Sequence, residues 1–341
     1  MIRHHALALI LAATPFIAPG AALAQPVKPA DRNAALKYAA VFYSTGPEVN
    51  QKISDTDVSK AGFDAAAAPA EFTAAAAEVK TYQANIQTLI DASKLRRCDF
   101  EIEYERGIGA TLPHLSKVRS AARMLRVDAR RLAMAGDAAG SAERLATIVR
   151  MANHTAGDDI LISSLVAAAM INLAIEEGQA QFQAGKLTPA TAAPLVEALK
   201  ALNPGDPFHT KDAMRGEQRI TLGWVKQSFH GDDAGRQLTQ NEAVVATQLA
   251  GENAEAARTI AAMNQAQLYA AVDLLSPYYD LVIAAWDKPD SVAQLEALGR
   301  RVSNGEFGPL GQVFAPAVSR ARQSSLRGEE RIREFIAAAS R

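Results

Sequence analysis

The stretch from Arg97 to Ala174 constrains the fold of this 341-residue chain more than any other. Leu115, Val118, Ala122, Leu125, Ala129 and Leu132 recur at steps of three and four, which draws one apolar stripe along a helix. Pro113 opens that helix and Gly136 stops it. Asp137 stands where an N-cap belongs, and Leu145, Ile148, Val149 and Ala152 carry the stripe of the next helix. That helix ends near Gly157. Asp158 or Asp159 then caps a third, running through Leu161, Leu165, Ala168, Ile171 and Ile175. Gly185 ends the third, and Thr188-Pro189 begins a fourth with Leu195, Leu199 and Leu202 on its core face. Long helices joined by short turns lie antiparallel. The predicted fold is all-α: irregular stacked antiparallel helix pairs, as an α-superhelix or a helical bundle.

Composition agrees. The chain is rich in Ala, Leu, Gln, Glu and Arg, all helix formers, and only 6% of it is aromatic. Further helices are predicted over 34–43, 70–95, 211–229 and 317–339, with two more between 241 and 285. Gly305 to Pro316 reads as a loop. His230-Gly231-Asp232-Asp233-Ala234-Gly235 is the best internal boundary, giving a stacked-helix domain over 25–230 and a C-terminal helical region over 231–341.

Residues 1–24 read as a Sec-type signal peptide. Arg3, His4 and His5 form a basic start, Ala6 to Ala18 is apolar, and Ala22-Leu23-Ala24 supplies small residues at the cleavage site. The mature chain is expected to start at Gln25 and to be periplasmic or secreted. The longest later apolar run, Ile160 to Ile175, is interrupted by Ser163, Ser164 and Asn172, so no membrane-spanning segment is expected. Lys and Arg number 36 against 37 Asp and Glu, which makes no electrostatic case for nucleic acid. Cys98 is the only cysteine, so no internal disulfide forms, and it reads as a buried, inert packing residue.

Arg97-Cys98-Asp99-Phe100, Leu112-Pro113-His114-Leu115 with Arg119, Ala122 and Arg123, then Gly136-Asp137, His154, Leu161-Ile162 and Leu165-Val166 carry a family resemblance. So do Ala213-Met214-Arg215-Gly216-Glu217 and Gly308-Pro309-Leu310. Together they resemble a family of uncharacterised exported bacterial all-helical proteins with tetratricopeptide-like helix pairs. The resemblance implies an all-α fold and export. It transfers no activity.

Catalytic signatures are missing. The chain has no Gly-x-Ser-x-Gly, no His-Glu-x-x-His, no phosphate-binding Walker loop and no Gly-x-Gly-x-x-Gly. His154 and Asp158 stand four apart, a metal-ligand spacing, but Gly157 between them reads as a helix end. No metal or other cofactor is expected. Acid or base candidates are Glu176, which follows a nearly all-apolar helix, together with His154 and His209. Arg215, Glu217 and Arg219 read as a surface cluster.

The one unusual surface is the row Arg119, Arg123, Arg126 and Arg130, spaced four, three and four along one helix flank. Four guanidiniums in a row repel unless something neutralises them. One reading is a site for an anion or an acidic partner. The other uses Phe100-Glu101-Ile102-Glu103-Tyr104-Glu105, whose alternation places three carboxylates on one edge of an extended segment. That edge spans about 13 Å and the Arg row about 16 Å, so the two match in length and oppose in sign. Two functions follow. The first is a non-catalytic periplasmic or secreted helical scaffold that binds a protein, peptide or envelope polymer. The second is an envelope-acting hydrolase with an acid/base Glu or His in a helical groove.

Overall fold

The computed structural model describes residues 32–227 and 254–341. Among the described residues 76% are helical, in fourteen α-helices, and none lies in a strand. The helices are α1 (Ala34–Ser44), α2 (Pro47–Asp55), α3 (Ala70–Thr81), α4 (Gln83–Ser93), α5 (Pro113–Met134), α6 (Ala138–Ala156) and α7 (Leu161–Gln183). They continue as α8 (Ala193–Lys200), α9 (Thr210–Gln227), α10 (Ala254–Ala261), α11 (Gln265–Trp286), α12 (Ser291–Ser303), α13 (Gly308–Phe314) and α14 (Val318–Ala339). The signal-peptide residues 1–24, the boundary at 230–235 and the helical stretch expected from 241 to 253 lie outside the described residues.

The antiparallel stack is centred where the periodicity puts it. α6 packs against α5, α7 and α8. Its turn from α5 is a six-residue capping motif: Gly136 takes φ +83°, and the Asp137 N–H donates to the Leu132 carbonyl at 2.9 Å. Asp137 then caps α6 by accepting from the Gly140 N–H at 2.8 Å. Leu125, Leu145, Ile148 and Ile171 are fully buried across these helices, each stabilising by about 1.5–3 kcal/mol.

Two apolar cores result. The first gathers α1 to α8 with Ile332, Phe335 and Ala339 from the end of α14. The second gathers α9 to α13 with Val318 from the start of α14. α9 falls within the span 25–230 read as the first domain. Its Met214, Leu222 and Val225 nevertheless belong to the second core, because α9 lies along α11. By length and composition α7 and α11 are apolar enough to cross a membrane. Each instead packs against several helices, so apolar residues are needed on more than one face. The two serines of α7 are buried and satisfied: Ser163 Oγ donates to Asp158 and Ser164 Oγ to the Phe208 carbonyl.

Local corrections have local causes. The helix expected over 70–95 breaks at Tyr82 (φ −98°, ψ 23°), which lets α3 lie on α5 while α4 lies on α1 and α6. The fourth helix does not start at Pro189. Pro194 has no N–H for the Ala190 carbonyl and clashes with it, so α8 restarts at Ala193. Within the expected loop 305–316, Pro309 starts the short helix α13. Neither Asp158 nor Asp159 caps α7. The N-cap is Ile160, and the Leu161 N–H is taken by the Glu217 carboxylate at 3.1 Å.

Candidate functional site

The Arg row on α5 is graded from outside to inside. Arg119 is exposed, Arg123 and Arg126 are half-buried, and Arg130 is only 2% exposed. Arg130 makes a fork to the fully buried Glu177, with Nε to Oε1 at 2.6 Å and Nη2 to Oε2 at 2.9 Å. Its Nη1 donates to the Val58 and Gly62 carbonyls, and its guanidinium lies 4.0 Å from the Phe63 ring centroid. Arg126 Nε reaches the same carboxylate at 3.3 Å, and Arg123 Nη1 donates to Ser54 Oγ at 2.9 Å. Gln181 and Ser141 complete the network. Beside it Asp128, also fully buried, accepts from Arg131, Arg144 and Gln83.

Glu101, Glu103 and Glu105 therefore do not neutralise the row, because α7 supplies the partner. The segment 100–105 is not an extended edge either. Asp99 accepts from the Glu101 N–H, Glu101 sits at φ +54°, and residues 104–109 form a 3₁₀ turn. Glu103 pairs with Arg106 at 2.8 Å. The inward member of the Glu176–Glu177 pair is Glu177. Glu176 is exposed and meets Arg331 at 3.1 Å. The row offers no continuous anion surface, since its inner end is closed by that carboxylate.

The other acid/base candidates are also separate. His154 is wedged between the Tyr38 hydroxyl (2.9 Å at Nδ1) and the Leu95 carbonyl (2.9 Å at Nε2), and burial pushes its pKa down. His209 holds φ +54° and contacts Asn153 Oδ1 at 3.0 Å through Nε2. Among the described residues no three His, Cys, Asp or Glu side chains are placed to hold a metal ion. Cys98 is half-buried, and burial pushes its thiol up to about 12, so little thiolate forms near neutral pH. Arg215 and Arg219 are exposed as expected. Glu217 between them turns inward, and burial raises its pKa.

The residues that do converge line a cleft of about 370 Å³ between α1, the 99–103 segment and the first turn of α5. Asn33 ties the 99–103 segment to the start of α1. Its side chain caps α1 at Ala35 N–H, donates to the Asp99 carbonyl and accepts from the Asp99 N–H. That clamp sets Phe100 parallel to the His114 ring, with centroids 4.2 Å apart. His114 is 8% exposed, and its Nε2 lies 2.8 Å from Asp158 Oδ2. The same oxygen accepts from Ser163 Oγ, and the Asp158 carbonyl accepts from the Tyr104 hydroxyl at 2.6 Å. A carboxylate only accepts, so Nε2 carries a proton, and in the neutral ring Nδ1 is then an acceptor. Among the described residues Nδ1 has no hydrogen-bond partner.

The chain matches no family model, no curated protein and no solved structure. Its site is defined by these residues alone.

Above the His114 floor, α1 presents Tyr43, 84% exposed, and Leu36, 46% exposed. Asp99, Glu101 and Glu103 line the same cleft together with Lys117. The Arg97 guanidinium beside Asp99, together with the Glu101 N–H, holds the Asp99 carboxyl below the usual carboxylate range. Asp99 is paired with Arg97 and Glu103 with Arg106, so the arrangement offers apolar contact, one carboxylate (Glu101) with no ion pair among the described residues, and one oriented imidazole. Sequence reasoning missed it because Phe100, His114 and Asp158 are far apart in the chain. The positive φ of Glu101 has no sequence signature at all.

Proposed function

We propose that this chain is an exported, non-catalytic helical binding protein whose cleft between α1 and α5 holds an apolar, positively charged segment of a peptide or protein. The observation that carries the reading is Tyr43. A tyrosine exposed this far lines the cleft with Leu36, Phe42 and Phe100, beside Glu101, a carboxylate with no ion pair among the described residues. Exposed apolar groups rimmed by charge mark interaction sites, and buried-on-binding tyrosines are common affinity anchors. Export, to the periplasm or the outside, rests on the pattern of residues 1–24 and on the resemblance to exported helical proteins. The test uses two labelled peptides, one alternating Leu and Lys and one alternating Leu and Glu. The Leu/Lys peptide binds more tightly, and Tyr43→Ala and Glu101→Gln each weaken it by about tenfold. Equal binding of both peptides, or unaltered binding by both variants, contradicts the proposal.

One observation favours the hydrolase reading: the Asp158-oriented His114, placed as a general base rather than Glu176, His154 or His209. In that reading the bound peptide is cleaved, and His114→Ala stops cleavage without loss of binding. In the binding reading the peptide mass is unaltered after prolonged incubation.

A further inference from the structure

A second concavity lies on the far side of the first core, between α8 and α14. It encloses about 300 Å³, at the small end of ligand sites. Its wall is aliphatic: Leu199, Leu202 and Ile332 are buried, and Ile336 is half-buried. Pro204 and Pro207 extend the wall and bring no backbone N–H to it. The polar side chains that line it are Lys200, Asn203, Glu329 and Arg333. Of these, Glu329 is already engaged, with Arg322 Nη1 at 2.6 Å and Ser325 Oγ at 3.0 Å. Lys200 and Arg333 are both exposed. Lys200 has a long, solvent-exposed pair with Glu197 at 3.6 Å, and Arg333 has no ion pair among the described residues. The groove therefore carries two exposed cationic groups beside an apolar interior.

We propose that this groove binds the free anion of a single-chain amphiphile, an alkyl tail with a carboxylate head. The tail fits the aliphatic wall of Leu199, Leu202, Ile332 and Ile336; the exposed Asn203 beside it has its Oδ1 engaged by the Gly205 N–H. A planar carboxylate matches the Arg333 fork, with Lys200 as a second charge. A bulky or polar ligand would leave its own donors and acceptors unsatisfied against the wall.

The test is calorimetry on the full mature chain with octanoate, decanoate and dodecanoate, each below its micelle concentration. Binding is saturable, and each added methylene tightens it by about fourfold, the value of burying one CH₂ group. The double variant Lys200→Glu with Arg333→Glu changes only exposed side chains. It weakens dodecanoate by at least about tenfold and improves dodecyltrimethylammonium. Ile336→Trp fills the groove, keeps both charges and abolishes binding. Circular dichroism verifies that each variant is folded. Affinity independent of chain length, or equal in the charge-reversed chain, overturns the proposal. So does sedimentation with anionic phospholipid vesicles without binding of the free fatty acid, which assigns the face to a membrane surface.

Discussion

The two ends of α5 carry similar side chains and use them in opposite ways. Toward its C-terminus, Arg126, Arg130 and Arg131 each find a carboxylate, and the buried Glu177 and Asp128 are shared among several donors. At its first turn, His114 meets one carboxylate, Asp158, through Nε2 alone, and Glu101 lines the neighbouring cleft with no ion pair among the described residues. Burial explains the difference. A charge taken out of water is tolerated only with a partner, so the interior forces the Arg row into balance. The rim is under no such demand. A dense row of like charge in a sequence therefore points to a buried counter-charge elsewhere in the chain, and a ligand site is to be sought where the balance is left incomplete.

Four substitutions break or sharpen this contrast, in falling order of effect. Glu177→Ala leaves Arg130 buried without its carboxylate and is expected to cost about 3–5 kcal/mol in urea denaturation. A cost under about 1 kcal/mol means that water reaches the cluster. Replacing both partners, Arg130→Met with Glu177→Leu, removes both charges at once. Most of the lost stability returns, to within about 1–2 kcal/mol of the wild type in the same assay. At the other end, Glu101→Gly relieves a positive φ and stabilises by about 1 kcal/mol, while the Leu/Lys peptide binds less tightly. Were Glu101→Gly destabilising, the cleft backbone would not be strained. The smallest effect is that of Glu101, Glu103 and Glu105 all changed to Gln. Because none of them pairs with the Arg row, the midpoint of thermal unfolding stays where it was at both low and high salt.

The fold was legible because its signals are local. The apolar steps of α5 and α6, Gly136 at the turn and Asp137 at the cap are each decided within a few residues. The break at Tyr82 was not legible, because it is set by which neighbours α3 and α4 face. The site was hidden for the same reason. His114 and Asp158 lie 44 residues apart, and their hydrogen bond depends on how α5 meets the α6–α7 turn. A two-residue carboxylate pair signals one inward member, as Glu176–Glu177 has. Which of the two points inward depends on the rotation of α7 against α5, and no residue nearby encodes that.

α14 begins in one core and ends in the other. Val318 belongs to the second core, where α14 packs on α12, whereas Phe335 packs against Phe182 and the backbone at Gly178 on α7. The first core thus lacks a wall until the last residues of the chain are present. A polypeptide that emerges N-terminus first cannot complete its larger core during synthesis, and the closing contacts join positions about 150 residues apart, as in Glu176–Arg331. Such a chain stays incompletely packed for as long as its C-terminus is held back.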